Sequence, residues 1–428
     1  MAKSDRTEFV HPASVRELPT PWVAGPLDSL NFLLNIRTTH VFDRRLDLER
    51  LLLGLARVLD GVPHLAGRLA GKKRIAGPLP GVPFRIHEMP RATVQDVRQG
   101  RLAADTFSPK LGRGAVQSGR TAPFAVWLTR LADGDVLGVS VSHGLADGRS
   151  LYHLIRNWGE ACDDRPFPMP VVEASFLPPV KAEKKEEVIA RAREAGWHPI
   201  SPWSLLRLAP AFFTGRLFQR TAPFVFEKEP ITALREQLAA ETGVRFSTHE
   251  LVSALVTHAC VRAAGHAAGT PCAQAVVFDL RGRLNGLPGE FFGNAAFIAQ
   301  GARFPAGATV AEIARSQHAQ AAPFLERPSR ASAEALFLVQ ATLAHKLAWA
   351  PYEFSRMHCR RPTAFYINNF SKMPIYNVNF GTLQDPIRPV RVVPHNLSDP
   401  FLIWPAPNGG TEVYLTGELA RLGVTIPK

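Results

Sequence analysis

A histidine, an aspartate and a glycine lie at a spacing that could support proton transfer. The sequence His143-Gly-Leu-Ala-Asp147-Gly148 directly follows the alternating stretch from Val136 to Ser142, which predicts a strand ending in a glycine-containing turn. Histidine has an unperturbed pKa of about 6.5, so a neutral imidazole there can take a proton from a bound hydroxyl or amine at about pH 7. We therefore predict His143 as a general base.

Asp147 could serve such a site in two ways. Its carboxylate could orient the imidazole, as in a Ser-His-Asp triad, or it could hold the turn in place. A turn that contains Gly144 does not force both side chains to one side, and we favour the structural role. A buried carboxylate needs a cation, and Arg281 in the stretch from Asp279 to Leu284 is the best candidate, because a guanidinium group can bind a carboxylate through two parallel hydrogen bonds.

Signatures of other common chemistries are missing from the sequence. It contains no G-x-S-x-G elbow, no Walker A loop, no G-x-G-x-x-G loop and no H-E-x-x-H motif. The 4 cysteines form no C-x-x-C pair, so we expect small buried side chains rather than a disulfide framework. We expect no metal and no permanently bound cofactor, and base catalysis requires no covalent intermediate.

The amino-acid composition indicates a folded protein with a net positive charge. The chain has 428 residues, of which 46% are hydrophobic and 20% charged, as in soluble globular proteins of two or three domains. Its net charge of +13 favours anionic partners such as a phosphorylated cofactor or an acidic carrier protein. Without a zinc-finger spacing, a basic arm or an apolar span, we expect a cytoplasmic monomer that binds neither nucleic acid nor membrane.

Hydrophobic patterns predict the elements that hold the histidine. Two strands, Phe124 to Arg130 and Val136 to Ser142, are joined through Asp133-Gly134, a dipeptide suited to positive φ in a tight hairpin. Leucines at helical spacing predict a helix from Leu48 to Leu59, and a helix from Ser150 to Cys162 follows the histidine turn, with its first serine as N-cap. The histidine is thus expected on a strand-to-helix connection.

A proline-rich segment separates two halves of the chain. Prolines punctuate the sequence from Asp163 to about Pro223, which is typical of a crossover or linker. Beyond it, Ser247 and Glu250 form a capping-box signature before an apolar helical stretch. We predict an N-terminal domain of residues 1–165, a linker of residues 166–222 and a C-terminal domain of residues 223–428.

Several motifs resemble, in the same order, those of the BAHD-type acyltransferases, which belong to the coenzyme A-dependent acyltransferase and condensation-domain superfamily. The resemblance covers nearly the whole chain. It rests on four stretches: Pro63 to Leu69, Val139 to Gly148, Asp279 to Leu284, and Phe292 to Ala295.

The resemblance implies an α/β fold of mixed sheets with helices, arranged as two similar chloramphenicol-acetyltransferase-like domains around a central solvent channel. His143 would deprotonate a small-molecule acceptor that attacks an acyl-CoA thioester in a direct ternary complex. Asp147 would face away from the acceptor and pair with Arg281, while Asp279 and Asn294 would support the site.

One motif departs from the plant pattern. Where plant members carry an S-W element and then D-F-G-W-G, this chain has the sequence INNF at 367–370 and NVNFGTL at 377–383. Thr382 replaces the tryptophan, so the indole donor of the family is missing and a microbial branch is indicated. Developing charge on a thioester oxygen still needs a donor, often worth about 3 to 4 kcal/mol. Asn368 and Asn369 are the amide candidates, unless both merely satisfy loop backbone.

Two alternatives stay open from the sequence. The acyl donor could be a phosphopantetheinyl carrier protein instead of coenzyme A, as in a free-standing condensation-like enzyme. The chain could also be a binding module that kept the fold without catalysis, although its intact His143, Asp147, Gly148 and Arg281 argue against that.

Overall fold

The protein forms two compact units. The first comprises Met1–Leu177, Pro288–Ala295 and Met373–Asn396, and the second comprises Pro178–Leu287, Ala296–Lys372 and Leu397–Lys428. The structure is a computed structural model, which describes residues 5–32, 34–71, 74–173, 183–204, 206, 221–351, 354–357, 359–395 and 401–425.

A six-stranded sheet forms the frame of the first unit. Only β6 and β7 pair in parallel; the other neighbours are antiparallel. In spatial order its strands are β1 (Arg6–Val10), β6 (Val82–Glu88), β7 (Phe124–Arg130), β8 (Asp135–Ser142), β3 (Asn35–Phe42) and β15 (Arg391–Pro394). A smaller sheet contains β2 (Trp22–Val23), β5 (Arg74–Ile75) and β4 (Leu69–Ala70).

The predicted hairpin before the histidine is confirmed. Strands β7 and β8 pair from Phe124 opposite Val141 to Arg130 opposite Asp135, and every residue of β8 is buried. The role of Gly134 differs from the expectation, because this glycine does not adopt a positive φ. A Cβ there would lie 2.2 Å from the Phe42 carbonyl oxygen, so close packing requires the glycine.

Two helices of the first unit pack together beside this sheet. They are α2 (Leu48–Leu59) and α5 (Gly148–Cys162); the other described helices of this unit are α1 (Pro26–Asn31), α3 (Val94–Arg98) and α4 (Arg113–Gln117). The indole Nε1 of Trp158 in α5 donates to the Leu51 carbonyl of α2 at 2.8 Å. Gly54 lets the helices approach, since a Cβ there would lie 2.7 Å from the Cys162 sulfur. Helix α5, which follows the histidine turn, is thereby anchored on α2.

The second unit has its own six-stranded sheet. Its strands, in spatial order, are β10 (Phe224–Phe226), β17 (Thr411–Leu415), β16 (Phe401–Pro405), β14 (Ala364–Asn369), β11 (Pro271–Asp279) and β12 (Ala296–Pro305). Strand β14 pairs in parallel with both of its neighbours, and the other pairs are antiparallel. Two short strands, β9 (His198–Pro199) and β13 (Trp349–Ala350), pair separately.

Helices pack against the second sheet around an apolar core that includes Phe246, Leu251, Phe365 and Phe401. Helix α8 carries the predicted capping box, in which Ser247 accepts from the Glu250 N–H and the Glu250 side chain accepts from the Ser247 N–H. The helices are α6 (Lys185–Glu194), α7 (Lys228–Thr242), α8 (Thr248–Ala263), α9 (Val310–Leu325), α10 (Arg330–Ala344), α11 (Phe354–Met357) and α12 (Gly417–Ala420).

The two units do not follow the sequence division into residues 1–165 and 223–428. Residues from the C-terminal half, Pro288–Ala295 and Met373–Asn396, group with the first unit. One reason is β15, which pairs with β3 from Arg391 opposite Val41 to Pro394 opposite Thr38. Long-range pairing of this kind leaves no local sequence signal. Much of the predicted linker lies outside the described residues, so its role stays a prediction.

The cysteines largely behave as expected. Cys162, Cys260 and Cys272 are buried free thiols, whereas the free thiol of Cys359 is only partly buried. Burial raises the pKa of the Cys260 thiol to about 12, which keeps it protonated and unreactive. Among the described residues, no helix is both long and apolar enough to cross a bilayer.

Candidate active site

His143 lies immediately after β8, where the sequence predicted it. Its backbone N–H donates to the Leu34 carbonyl at 2.9 Å, and the preceding Ser142 N–H donates to Pro123 at 2.7 Å. Gly144 is required next, because a Cβ there would lie 2.5 Å from the Phe32 ring. These contacts fix the backbone from which the imidazole projects.

Asn294 is the side chain that hydrogen-bonds to the imidazole. Its Oδ1 lies 3.0 Å from His143 Nδ1, while its Nδ2 donates to the His143 carbonyl at 2.8 Å. The same Nδ2 donates to Asp28 Oδ1 at 2.8 Å. The predicted supporting role of Asn294 therefore has a specific geometry, in which one amide group holds both the ring and the backbone of the histidine.

Burial controls the charge of this histidine. It lowers the pKa of His143 below its usual value, against the opposing effects of a hydrogen bond to the residue's own backbone, the charge of Asp147 and the bond to Asn294. Desolvation penalises the imidazolium more than the neutral ring. The neutral form, which can accept a proton, is therefore the predominant form at pH 7.

Asp147 caps the helix that follows the turn. Its Oδ1 accepts the Ser150 N–H at 2.8 Å, and its Oδ2 accepts the Ala295 N–H at 3.0 Å. The expectation that Ser150 caps this helix was wrong, since α5 begins one residue after Asp147, at Gly148. The motif glycine is thus the first residue of α5, and both carboxylate oxygens of the motif aspartate bind backbone.

The segment that carries Asn294 is tied to the same turn. The Ser150 hydroxyl donates to the Gly293 carbonyl at 3.0 Å and accepts the Gly293 N–H at 3.1 Å. The Asp147 N–H also points to the Gly293 carbonyl, at 3.3 Å. Gly293 adopts a φ of +151°, a conformation that favours glycine. The sequence motif Phe292 to Ala295 thus forms a backbone clasp on the histidine turn.

Arg281 lies in the second unit, beyond the end of β11. Its Nη1 donates to Asp279 Oδ1 at 2.9 Å, and its own N–H donates to the same oxygen at 3.2 Å. Arg283 joins this turn by donating to the Asp279 carbonyl at 2.6 Å. Asp279 therefore supports the guanidinium group of Arg281, whereas the predicted pair between Arg281 and Asp147 stays a prediction.

The two oxyanion candidates occupy the end of β14, also in the second unit. Both are partly buried. Asn369 Oδ1 accepts the Ser371 N–H at 2.9 Å, so this side chain stabilises the following turn. The alternative that the asparagines satisfy loop backbone thus applies to Asn369, and oxyanion binding by Asn368 or Asn369 stays a prediction.

The segment 377–383, which departs from the plant motif, stabilises its own loop within the first unit. Asn379 Oδ1 accepts the N–H groups of Gly381 and Ile387 at 2.9 and 2.8 Å, and its Nδ2 donates to the Thr382 carbonyl at 3.0 Å. An aspartate could accept the first two bonds but not donate the third. Phe380 packs edge-on against Trp158 of α5 at 5.1 Å between ring centroids. The substitution therefore suits the local hydrogen bonds of this loop.

Sequence reasoning missed Asp28. This residue lies in α1, where its Oδ2 accepts the Gly25 N–H at 2.7 Å. Burial raises the pKa of Asp28 to about 6, opposed by its hydrogen bonds to Asn294 and Gly25, and the charge of Asp147 raises it further. No local sequence pattern links this carboxylate to Asn294, which lies 266 positions away in the chain. Within the described residues, no cluster of ligating side chains could hold a metal ion.

The chain is similar to a known enzyme family and to several of its members. A family model described as "Transferase family" matches residues 8–422. The chain belongs to the BAHD acyltransferase family. Over 271 residues it is 30% identical to hydroxycinnamoyl-CoA:5-hydroxyanthranilate N-hydroxycinnamoyltransferase HHT4 of Avena sativa, an alignment that covers 59% of this chain and 58% of that protein. Over 269 residues it is 27% identical to stemmadenine O-acetyltransferase of Catharanthus roseus, covering 60% of this chain and 58% of that protein. The chain thus spans less than two thirds of the curated relatives it matches.

Solved structures of the family share the fold. Vinorine synthase superposes with a TM-score of 0.69 at 19% identity, covering 100% of this chain and 97% of that chain. F. graminearum TRI101 complexed with coenzyme A and T-2 mycotoxin gives a TM-score of 0.71 at 14% identity, covering 94% and 96%. The predicted α/β acyltransferase fold is confirmed, and the placement in a microbial branch stays a prediction.

Proposed function

We propose that this protein is an acyltransferase that moves an acyl group from a coenzyme A thioester to a hydroxyl or amine of a small-molecule acceptor. The bond between His143 Nδ1 and Asn294 Oδ1, 3.0 Å long, carries the proposal. An amide oxygen only accepts hydrogen bonds, so the ring proton is on Nδ1 and the lone pair is on Nε2. A neutral imidazole with a basic Nε2 is the form that a general base requires.

Proton transfer in the reaction uses this base and two bound substrates. Nε2 of His143 takes the proton of the acceptor as the acceptor oxygen or nitrogen attacks the thioester carbonyl carbon. The tetrahedral intermediate then collapses, the carbon–sulfur bond breaks, and the imidazolium returns the proton to the departing sulfur. Coenzyme A leaves as a thiol, and the direct transfer involves no acyl-enzyme.

Negative charge on the thioester oxygen needs a hydrogen-bond donor during the attack. We assign this role to the amides at the end of β14, Asn368 and Asn369, since the family's tryptophan is Thr382 in this chain. Preorganised donors of this kind are among the largest contributions to catalysis. Asn369 also accepts the Ser371 N–H at 2.9 Å, so its replacement removes a contact to the following turn as well as the proposed donor.

The names of the relatives suggest the first substrates to test. HHT4 of Avena sativa is named for a hydroxycinnamoyl-CoA donor and an aromatic amine acceptor, and the Catharanthus roseus relative is named an O-acetyltransferase. The purified protein should therefore be incubated with hydroxycinnamoyl-CoA or acetyl-CoA, each with a panel of hydroxyl and amine acceptors, and products identified by mass spectrometry. A parallel arm with acyl-carrier protein tests the other donor class.

His143→Ala is the decisive variant. We expect its rate to fall by about 10² to 10⁴, the usual contribution of general acid–base catalysis, with an unchanged circular dichroism spectrum. His258→Ala serves as the matched control, because this half-buried histidine bonds through Nδ1 to the Ala308 carbonyl at 3.0 Å in the second unit. Unchanged turnover in His143→Ala would refute the general base, and transfer from the carrier protein alone would reassign the donor.

A further inference from the structure

A partly buried carboxylate is connected to the candidate base through one amide group. Asn294 Nδ2 donates to Asp28 Oδ1 at 2.8 Å and to the His143 carbonyl at 2.8 Å. The Oδ1 of the same amide lies 3.0 Å from His143 Nδ1. Asp28, Asn294 and His143 therefore form a continuous chain of hydrogen bonds within the first unit.

The acceptors around Asn294 determine which way its amide points. A carboxylate and a backbone carbonyl both accept, so the group that faces them has to be the NH₂ group. Asn31 Nδ2 approaches the other end of the amide, Asn294 Oδ1, at 3.4 Å and donates to it. The oxygen consequently faces the imidazole, where it can only accept a hydrogen bond from the Nδ1–H group.

We propose that Asp28 is a positioning residue that, through Asn294, holds the His143 imidazole in the tautomer with its proton on Nδ1. The carboxylate does this because it accepts from Asn294 and offers no hydrogen in return. A neutral amide at position 28 would offer an N–H group to Asn294 and allow the Asn294 amide to rotate by about 180°, which exchanges its oxygen and its NH₂ group. The NH₂ group of Asn294 would then face Nδ1, the ring proton would move to Nε2, and the base would be blocked.

The second oxygen of Asp28 limits the ways in which a substituted side chain can adapt. Oδ2 accepts the Gly25 N–H at 2.7 Å, so an asparagine at position 28 has one oxygen for two donors. If that oxygen stays on Gly25, its NH₂ group faces Asn294 and favours the turned amide. The Asp28→Asn variant therefore tests the chain of hydrogen bonds with almost no change of volume.

The pKa of Asp28 is close to neutral pH. Burial raises its pKa to about 6, the bonds to Asn294 and Gly25 oppose this, and the nearby charge of Asp147 adds to it. Asp147 also acts on His143, whose pKa burial lowers. Both carboxylates and the imidazole affect the tautomer populations. The measurements therefore belong at pH 7.5, above the Asp28 pKa of about 6 and above the unperturbed histidine value of about 6.5.

The tautomer can be measured without any substrate. In ¹⁵N-histidine-labelled full-length protein, long-range ¹H–¹⁵N correlation spectra distinguish a protonated from an unprotonated ring nitrogen, and the His143 signal is assigned by its loss in His143→Gln. We expect Nδ1–H in the wild type and a shift toward Nε2–H in Asp28→Asn. Asp96→Asn is the matched control, since Asp96 is likewise the third residue of its helix, α3, and accepts the N–H of the N-cap residue, Thr93, at 2.8 Å. This variant should leave the tautomer unchanged.

Kinetics give a second readout, which rests on the proposed function. We expect kcat of Asp28→Asn to fall at least about tenfold with little change in KM, by analogy with the loss that follows when a triad histidine adopts the wrong tautomer. Asn294→Ala tests the middle of the chain if Asp28→Asn does not fold, and adding Asp28→Asn to it should have no further effect on the tautomer. An Nδ1–H signal that persists in either variant overturns the proposal. A shifted tautomer in a protein that transfers no acyl group would instead refute the proposed function and leave the role of Asp28 intact.

Discussion

Replacing Asp147 with alanine removes two backbone contacts at once. Oδ1 accepts the Ser150 N–H at 2.8 Å at the start of α5, and Oδ2 accepts the Ala295 N–H at 3.0 Å in the clasp segment, both in a buried setting. Loss of an N-cap costs about 1 kcal/mol, and a buried N–H left without an acceptor costs about 1 to 3 kcal/mol. We therefore expect Asp147→Ala to lower the free energy of unfolding by roughly 2 to 4 kcal/mol.

Asp47→Ala provides the matched control. Asp47 is the exposed N-cap of α2 and accepts the Arg50 N–H at 3.1 Å, so its replacement should cost only the capping energy of about 1 kcal/mol. Asp147→Asn keeps a single oxygen for the two N–H groups. Its decrease in the free energy of unfolding should lie between the decreases of Asp47→Ala and Asp147→Ala. The ranking of the three variants thus isolates the contact to Ala295.

Urea denaturation followed by tryptophan fluorescence measures these differences, and acyl-transfer assays on the same samples give kcat. Equal destabilisation of Asp147→Ala and Asp47→Ala would mean that the bond to Ala295 contributes nothing. A variant with wild-type stability and an impaired rate would refute the structural role, and would favour direct orientation of the imidazole by Asp147.

The remaining predictions concern the histidine, the turn and the oxyanion candidates. Because burial lowers the His143 pKa, the neutral base is lost only as the pH falls below the usual range of a histidine. We therefore expect the acid limb of kcat/KM to lie below the unperturbed histidine value of about 6.5, and an acid limb centred above that value would contradict the reasoning. Gly144→Ala places a Cβ 2.5 Å from the Phe32 ring and should cost about 1 to 3 kcal/mol in unfolding experiments; stability equal to the wild type would show that the ring yields freely. Asn368→Ala and Asn369→Ala should each lower kcat by about 10²-fold or more at constant KM. Asn369→Ala also loses the bond to the Ser371 N–H, which should lower stability by about 1 kcal/mol; wild-type kcat in both variants would exclude an oxyanion role.

Local patterns predicted the elements around the histidine well. The hairpin of β7 and β8, the helix from Leu48 to Leu59 and the capping box at Ser247 were confirmed because each depends on residues close together in sequence. The predicted N-cap of α5 was wrong by three residues, since Asp147 and Ser150 are both good N-cap types and only the geometry separates them. Cap selection is thus decided by tertiary contacts that the sequence does not display.

Contacts between distant residues could not be predicted. Nothing near Asp28 in the sequence indicates that its carboxylate bonds to Asn294, and nothing near Arg391 shows that β15 completes the first sheet. The family resemblance identified Asn294 as a support residue, but only the three-dimensional arrangement showed that its amide bonds to the imidazole itself. Such information depends on chain topology rather than on propensity or spacing.

Strand β15 and the Asn294 segment have a consequence for how the polypeptide matures. Both belong to the first unit, yet they follow its first continuous segment, Met1–Leu177, by more than a hundred residues of sequence. As the nascent chain leaves the ribosome from its N-terminus, the first sheet stays without its edge strand until residue 394 has been translated. A gene split at the linker would therefore express an N-terminal half that carries His143 but lacks Asn294, with β3 as an open edge prone to aggregation. Reassembly of the two halves in the same cell would be needed to restore even the immediate surroundings of the histidine.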